Sequence, residues 1–264
     1  MTNGDLKLSH DERLDRTLEY IQEKGRATVL ELCSIFQTSE STVRRNLTRL
    51  AEQKLIKRFH GGAILNKPVA PEPPVSRRLQ ANPGEKENIG RKAASLVEDG
   101  ETVILLSGTT VASMVPFLLH KKNLKVITNS VLVLQGLLLE SAIKVIVPGG
   151  VLDHSEFCTT GFLTSLCVKQ LRADKVFLGV RSVHPLYGMM SDNIDEMEAS
   201  RVFIDVSDEV VVLADHTKFN PSGTVRLCSL TETDVLITDP LSPPDQLKEL
   251  REAGVEVVVS DSVP

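Results

Sequence analysis

Five short stretches have the residue types that hold small anions. They are Ser107-Gly108-Thr109-Thr110, Thr128-Asn129-Ser130, Pro148-Gly149-Gly150, Gly179, and Ala214-Asp215-His216-Thr217-Lys218-Phe219, each after an apolar run. Glycine and small hydroxyl residues ahead of a helix leave backbone N–H groups and hydroxyls turned toward an anion. Taken singly, the first also reads as helix capping, the second as a turn and the third as a bend. A second set suits a polymeric anion. Ser41, Thr42, Arg44, Arg45 and Thr48 alternate with the apolar Val43, Leu47 and Leu50. Arginine makes paired hydrogen bonds to guanine, and Ser or Thr serves bases or phosphates. Residues 38–67 hold 7 Lys and Arg against 2 Asp and Glu, in a chain whose formal net charge is −5. A basic segment on an acidic chain points to a polyanion partner for that segment; the plain alternative is a solvated helix face.

The second set needs a small helical unit to carry it. Leu14, Leu18 and Ile21 give residues 10–24 one apolar face, and Gly25 stops that helix. A short helix over 29–36 turns Leu30, Leu32 and Phe36 inward. Ser39 is the N-cap of a third helix over 40–54, whose first turns would meet base edges in a major groove. Residues 55–59 and 63–65 read as strands around a His60-Gly61-Gly62 turn. The result is a winged helix-turn-helix. Lys57, Arg58 and His60 would reach phosphates, and Ser39 and Arg49 complete the DNA-binding candidates.

The first set needs an α/β domain. Strands over 102–106, 124–127, 143–147, 175–178, 209–213, 235–237 and 255–259 alternate with helices over 86–97, 111–119, 131–139, 162–171, 195–206 and 244–253. Strands without polar alternation, separated by helices, predict a mostly parallel sheet covered on both sides. Ligands in such folds bind beyond the C-terminal strand ends. The five stretches should converge there on a small phosphorylated ligand.

Five of the 13 prolines fall within residues 68–83, which predicts an extended, helix-free linker over 67–84 between domains at 1–66 and 85–264. The widely spaced Cys33, Cys158, Cys167 and Cys228 form no disulfide framework or zinc pattern and read as reduced, mostly buried residues. Nothing approaches about 18 uncharged apolar residues, and the polar N-terminus lacks a signal core, so a cytoplasmic chain without a membrane partner is expected. No Ser-His-Asp order, HExxH or Walker run occurs, and no cofactor or metal is expected. His154 and His216, beside Asp153 and Asp215, read as pocket or surface residues.

The stretch TSESTVRRNLTRLAEQKLIKRFHGGA resembles the N-terminal signature of the DeoR family of bacterial transcription regulators. The Arg pair, the later leucines and the HGGA wing are in register. Asn46 stands where that family usually has Asp, and Lys54 where it often has Gly. An Asp there would fix neighbouring arginines, so Asn46 should change how Arg44 or Arg45 is oriented. The later loops resemble the family's effector domain, similar in fold to ribose-5-phosphate isomerase, which senses a phosphorylated sugar or related metabolite. The resemblance implies effector contacts from Ser107, Gly108, Thr109, Thr110, Thr128, Asn129, Gly149 and Gly150, with Gly179 beside them. It makes Asp215 a sugar-hydroxyl acceptor and Lys218 a phosphate partner. Asp192, Glu196 and Arg201 would face the pocket or else be surface charge on an amphipathic helix. Leu106, Met190, Ser200 and Ser182 replace the common Asp, Thr, Lys and Gly, which implies an altered or weakened site.

The resemblance further implies a double-stranded DNA operator, repression as the commoner sign, carbohydrate metabolism genes as targets, and a homo-oligomer, dimer or tetramer, formed through the C-terminal domain. Paired wings on paired half-sites gain affinity by effective concentration. Two other functions compete. One is a sugar-phosphate isomerase-like enzyme with Glu196 or Asp215 as base, disfavoured by Leu106 in place of a carboxylate. The other is a ligand-independent regulator or interaction protein with a silent pocket.

Overall fold

A computed structural model of the chain describes residues 10–59, 61–65, 72–219 and 223–261. The chain divides into two compact units, residues 1–70 and 71–264.

The first unit runs α1 (His10–Lys24), β1 (Arg26–Thr28), α2 (Val29–Phe36), α3 (Glu40–Glu52), β2 (Ile56–Phe59) and β3 (Gly62–Leu65). Leu14, Ile21, Leu32, Val43, Leu47, Leu50 and Ile56 form its core. Thr28 starts α2 with a reciprocal cap: the Glu31 N–H donates to Thr28 Oγ1 at 3.2 Å, and the Thr28 N–H donates to Glu31 Oε2 at 2.6 Å. That start sets the helix phase. Val29, Leu32 and Phe36 share the inner face, and Leu30, expected inside, is 70% exposed. β1, too short to show in the sequence, joins the wing in an antiparallel sheet of order β1-β3-β2. Gly62 is required where the strands meet, because a Cβ there would lie 2.3 Å from the Ala27 carbonyl oxygen. Lys54 has φ +58, the left-handed turn for which glycine is suited.

The second unit opens with α4 (Val75–Arg78) and α5 (Pro83–Ala94). There follow β4 (Thr102–Leu105), α6 (Thr109–Ala112), β5 (Lys125–Ile127), α7 (Val131–Leu137), β6 (Lys144–Ile146), β7 (Val151–Asp153), β8 (Cys158–Thr160) and α8 (Phe162–Val168). The remainder is β9 (Ala173–Gly179), β10 (Ser182–His184), β11 (Gly188–Ser191), α9 (Ile194–Asp205), β12 (Ser207–Leu213), β13 (Val225–Cys228), β14 (Val235–Thr238), α10 (Pro244–Glu252) and β15 (Glu256–Val259). All seven predicted strands lie in one sheet of order β15-β14-β12-β9-β4-β5-β6, parallel throughout. Its two faces are both apolar. Ile104, Val176, Leu178, Val212 and Leu236 meet Phe203 and Leu250 on one side. Val103, Leu105, Phe177, Val211 and Ile237 meet Ile89, Met114 and Val133 on the other. The fold class is therefore α/β, a winged helix-turn-helix followed by a parallel α/β domain.

Two smaller sheets, the hairpin β7-β8 and the antiparallel β10-β11-β13, were not foreseen. The proline-rich stretch also departs from expectation. Residues 66–71 lie outside the described residues, but 72–84 belong to the second unit and include α4. Prolines at 73, 74 and 83 precede or open helices, where a missing N–H costs nothing. Cys167 is exposed, against expectation, while Cys158 and Cys228 are buried. No helix among the described residues is long and apolar enough to cross a membrane.

Candidate functional site

In the first unit, α3 buries Val43, Asn46, Leu47 and Leu50 and leaves Ser41, Arg44, Arg45 and Arg49 exposed. Ser39 caps it by accepting from the Thr42 N–H at 3.4 Å, and its hydroxyl lies 2.9 Å from Ser41 Oγ and 3.0 Å from Thr42 Oγ1. Arg44 donates to Glu40 Oε2 at 3.0 Å, one turn back. The Arg45 side chain has no hydrogen bond or ion pair among the described residues. Arg58 on the wing donates to Thr48 Oγ1 at 2.7 Å, and Thr48 donates to the Arg44 carbonyl at 2.8 Å. These contacts register β2 against α3. Lys57 is exposed, and His60 lies outside the described residues. Asn46, in the place of the family's Asp, makes no side-chain hydrogen bond to an arginine among the described residues. It is 2% exposed, and its Oδ1 is buried without a partner among the described residues.

In the second unit the chain leaves β4 toward β5 and β6 on one side, then returns to place β9 and β12 on the other. The loops after β4 and β9 therefore diverge, and a cavity of about 300 Å³ opens at this switch point, extending to the loop after β12. Ser107, Gly108, Thr109, Thr110, Gly179, Glu196, Asp215 and Lys218 line it. The backbone bend at Gly108, φ +134, passes beside Gly179, so both glycines keep the crevice open. Leu106 and Ser200 also line it, whereas Met190 and Ser182 do not.

Four expected residues are elsewhere, because β5 and β6 lie outboard of the switch point. Thr128 Oγ1 donates to the Leu105 carbonyl at 2.6 Å. Asn129 Nδ2 donates to the Thr159 carbonyl at 3.1 Å. The Gly149 carbonyl accepts from Thr164 Oγ1 at 2.8 Å, and a Cβ on Gly150 would meet that same hydroxyl at 2.1 Å. These two loops hold the β7-β8 hairpin and α8. Asp192 pairs with Arg181 at 2.9 Å and is not part of the lining. Arg201, one position past Ser200, points away to the Leu227 carbonyl at 3.1 Å and to Glu232 at 2.7 Å. His154 is exposed, and His216 faces Asp239 at 3.1 Å, outside the lining.

The pocket holds charged residues that the sequence did not reveal: Glu72, Arg78, Lys86, Glu156 and Arg181. With Glu196, Asp215 and Lys218 they make four cations and four carboxylates. Arg78 is paired with Glu156 and donates through Nε to the Pro73 carbonyl at 3.0 Å. Lys86, 6% exposed, donates to the Ala81 carbonyl at 2.6 Å and to the Arg78 carbonyl. Burial lowers its pKa, opposed by the Asp215 charge. The carboxylate of Asp215 accepts from the Thr217 N–H at 2.9 Å. Glu196 accepts from Ser107 Oγ at 2.8 Å; burial, then repulsion from Glu156, raises its pKa to about 7. Cys158 beside it is pushed up to about 12 by burial, so it stays a thiol. The arrangement is suited to a small anion bearing hydroxyls: cations for the charge, hydroxyls and carboxyls for the rest.

Residues 13–69 match the DeoR-like helix-turn-helix domain, and residues 81–240 match the DeoR C terminal sensor domain. The HTH-type transcriptional repressor GlcR of Bacillus subtilis (strain 168) is 32% identical over 258 residues, covering 95% of this chain and 96% of its own length. The glycerol-3-phosphate regulon repressor of Escherichia coli (strain K12) is 29% identical over 250 residues, 95% of this chain and 99% of its own. A solved ribose 5-phosphate isomerase from Methanocaldococcus jannaschii aligns with 51% of this chain and 53% of its own at 17% identity, with a TM-score of 0.38. With both family domains matched in order, the chain belongs to the DeoR family of transcription regulators.

Proposed function

We propose that the protein is a DNA-binding repressor of carbohydrate-metabolism genes whose operator affinity is set by a phosphorylated sugar or related anionic metabolite. The observation that carries this reading is the pocket at the β4–β9 switch, where Arg78, Lys86, Arg181 and Lys218 line the same cavity as the Ser107–Thr110 loop. Arg45, Ser41 and Thr42 on α3 read the operator, and Lys57 and Arg58 hold its phosphates. The protein acts as a homo-oligomer, and the exposed Val151 and Leu152 on β7 and Phe162, Leu163 and Leu166 on α8 are the apolar surface that supports self-association. Thermal unfolding against a panel of phosphorylated sugars and sugar alcohols tests the sensor. A ligand at 100 times its dissociation constant adds about 2.7 kcal/mol. A panel with no shift would leave the DNA-binding unit as the function.

A second reading rests on Glu196, whose pKa of about 7 is suited to proton transfer. Turnover of ribose 5-phosphate followed by NMR separates the two: a regulator leaves the sugar unchanged.

A further inference from the structure

We propose that the Glu72 carboxylate sits in the seat that the effector's anionic group takes, so that effector binding releases the segment adjoining the DNA-binding unit. The inference rests on the sensor reading above and names how that site is regulated. Glu72 is two positions beyond Ala70, where the first unit ends. Its Oε1 accepts from Lys218 Nζ at 2.7 Å and lies 3.7 Å from an Arg78 guanidinium nitrogen. One oxygen shared by two cations is the geometry a phosphate or carboxylate oxygen adopts. All three side chains are less than one-fifth exposed, so their attraction is only weakly screened.

The neighbouring carboxylates are fixed in other ways. Glu156 is paired with the other end of the Arg78 guanidinium, and Asp215 is tied to Thr217. Glu72 is the only carboxylate within 4.0 Å of Lys218 among the described residues. Among the described residues the segment is held at three points. Val75 is 1% exposed and donates its N–H to the Ser155 carbonyl at 3.2 Å, and the Pro73 carbonyl accepts from Arg78 Nε at 3.0 Å. Glu72 is the third, and it is the one with which a ligand anion competes. With Glu72 seated, the lining has as many carboxylates as cations; with Glu72 displaced, it has a cation in excess and accepts an anion. Such coupling is reciprocal: the ligand weakens the Glu72 attachment by the factor with which Glu72 weakens the ligand.

The test is calorimetric titration of the full chain with inorganic phosphate at constant ionic strength. If Glu72 fills the seat about nine-tenths of the time, Glu72→Gln binds phosphate about tenfold more tightly than the wild type. Glu72→Asp, too short to span to Lys218, gives a smaller gain in the same direction. Lys218→Gln loses phosphate binding in either background. Equal or weaker phosphate binding by Glu72→Gln overturns the inference and leaves the sensor reading standing. Absence of phosphate binding in the wild type and in Glu72→Gln overturns both.

Discussion

The basic face of α3 and the charged pocket at the β4–β9 switch use the same cationic residue types in opposite ways. On α3, Arg45 is exposed and unpaired among the described residues, and Arg44 and Glu40 pair at 50% and 53% exposure. In the pocket, Arg78 and Lys218 are 15% and 17% exposed and are tied to carboxylates. A surface that meets a phosphate backbone keeps its charge in water, so removing one charge leaves the fold intact. A pocket that selects one small anion keeps its charge out of water, so removing one partner strands another.

The largest expected effect breaks the buried side of that comparison. Arg78→Ala leaves Glu156 buried without its cation, and loss of one partner of a buried pair costs about 3–5 kcal/mol. The cost shrinks on acidification, because burial already raises the Glu156 pKa and a proton can replace the arginine. Denaturant unfolding of the full chain at several pH values measures it. A loss below about 0.5 kcal/mol at all pH values would place Arg78 with the surface charges.

Glu196 sharpens the same side. Its folded pKa of about 7 lies above the ordinary carboxyl value of 4.5, so folding favours the protonated form. The associated stability is fully present below pH 4.5 and is lost as pH rises through 7, on the order of 3 kcal/mol in all. Glu196→Gln removes that slope. Binding of sulfate, whose charge is constant over this range, should weaken from pH 6 to 8 in the wild type and stay level in Glu196→Gln. Parallel pH profiles for stability in the two proteins would show that Glu196 does not titrate there.

How far the sequence foretold these regions follows from the same physics. The parallel strands were legible because each is an apolar run, as in Val103-Ile104-Leu105, covered on both faces. The pocket was only partly legible, because sequence order does not say that β9 lies beside β4. Without that, the loops after β5 and β6 read as equivalent to the loop after β4, which draws Thr128, Asn129, Gly149 and Gly150 into the expected ligand set. Arg78 is hidden because the prolines around it suggest a linker, although the adjacent basic pair Arg77-Arg78 in a proline-rich run is a signal available to find it. Strands of three or four residues, such as β7 and β10, are too short for alternation to be counted.

On the exposed side, Arg45→Ala should cost about 1–3 kcal/mol of operator binding and relax base preference, with stability within about 0.5 kcal/mol of the wild type. Arg44→Ala should cost less binding, because Arg44 must first give up Glu40. Binding to an operator obtained by selection from random duplexes, followed by fluorescence anisotropy, ranks the two. Unchanged affinity in both variants would remove α3 from the interface.

Lys57 gives the smallest effect and the finest distinction. It is exposed on β2 and has no partner among the described residues, so its ammonium is free for a phosphate. A phosphate contact carries no base information, and its loss releases about one fewer counterion. Lys57→Ala should therefore weaken binding evenly across operator sequences and reduce the slope of log affinity against log salt by about 0.9. Arg58, its neighbour, differs because it holds Thr48 at 2.7 Å. Arg58→Ala should lower the salt slope and also disturb base preference, through the hydroxyl it no longer positions. If Lys57→Ala shifted base preference as strongly as Arg58→Ala, the wing would be reading bases, and the division of labour between α3 and the wing would fail.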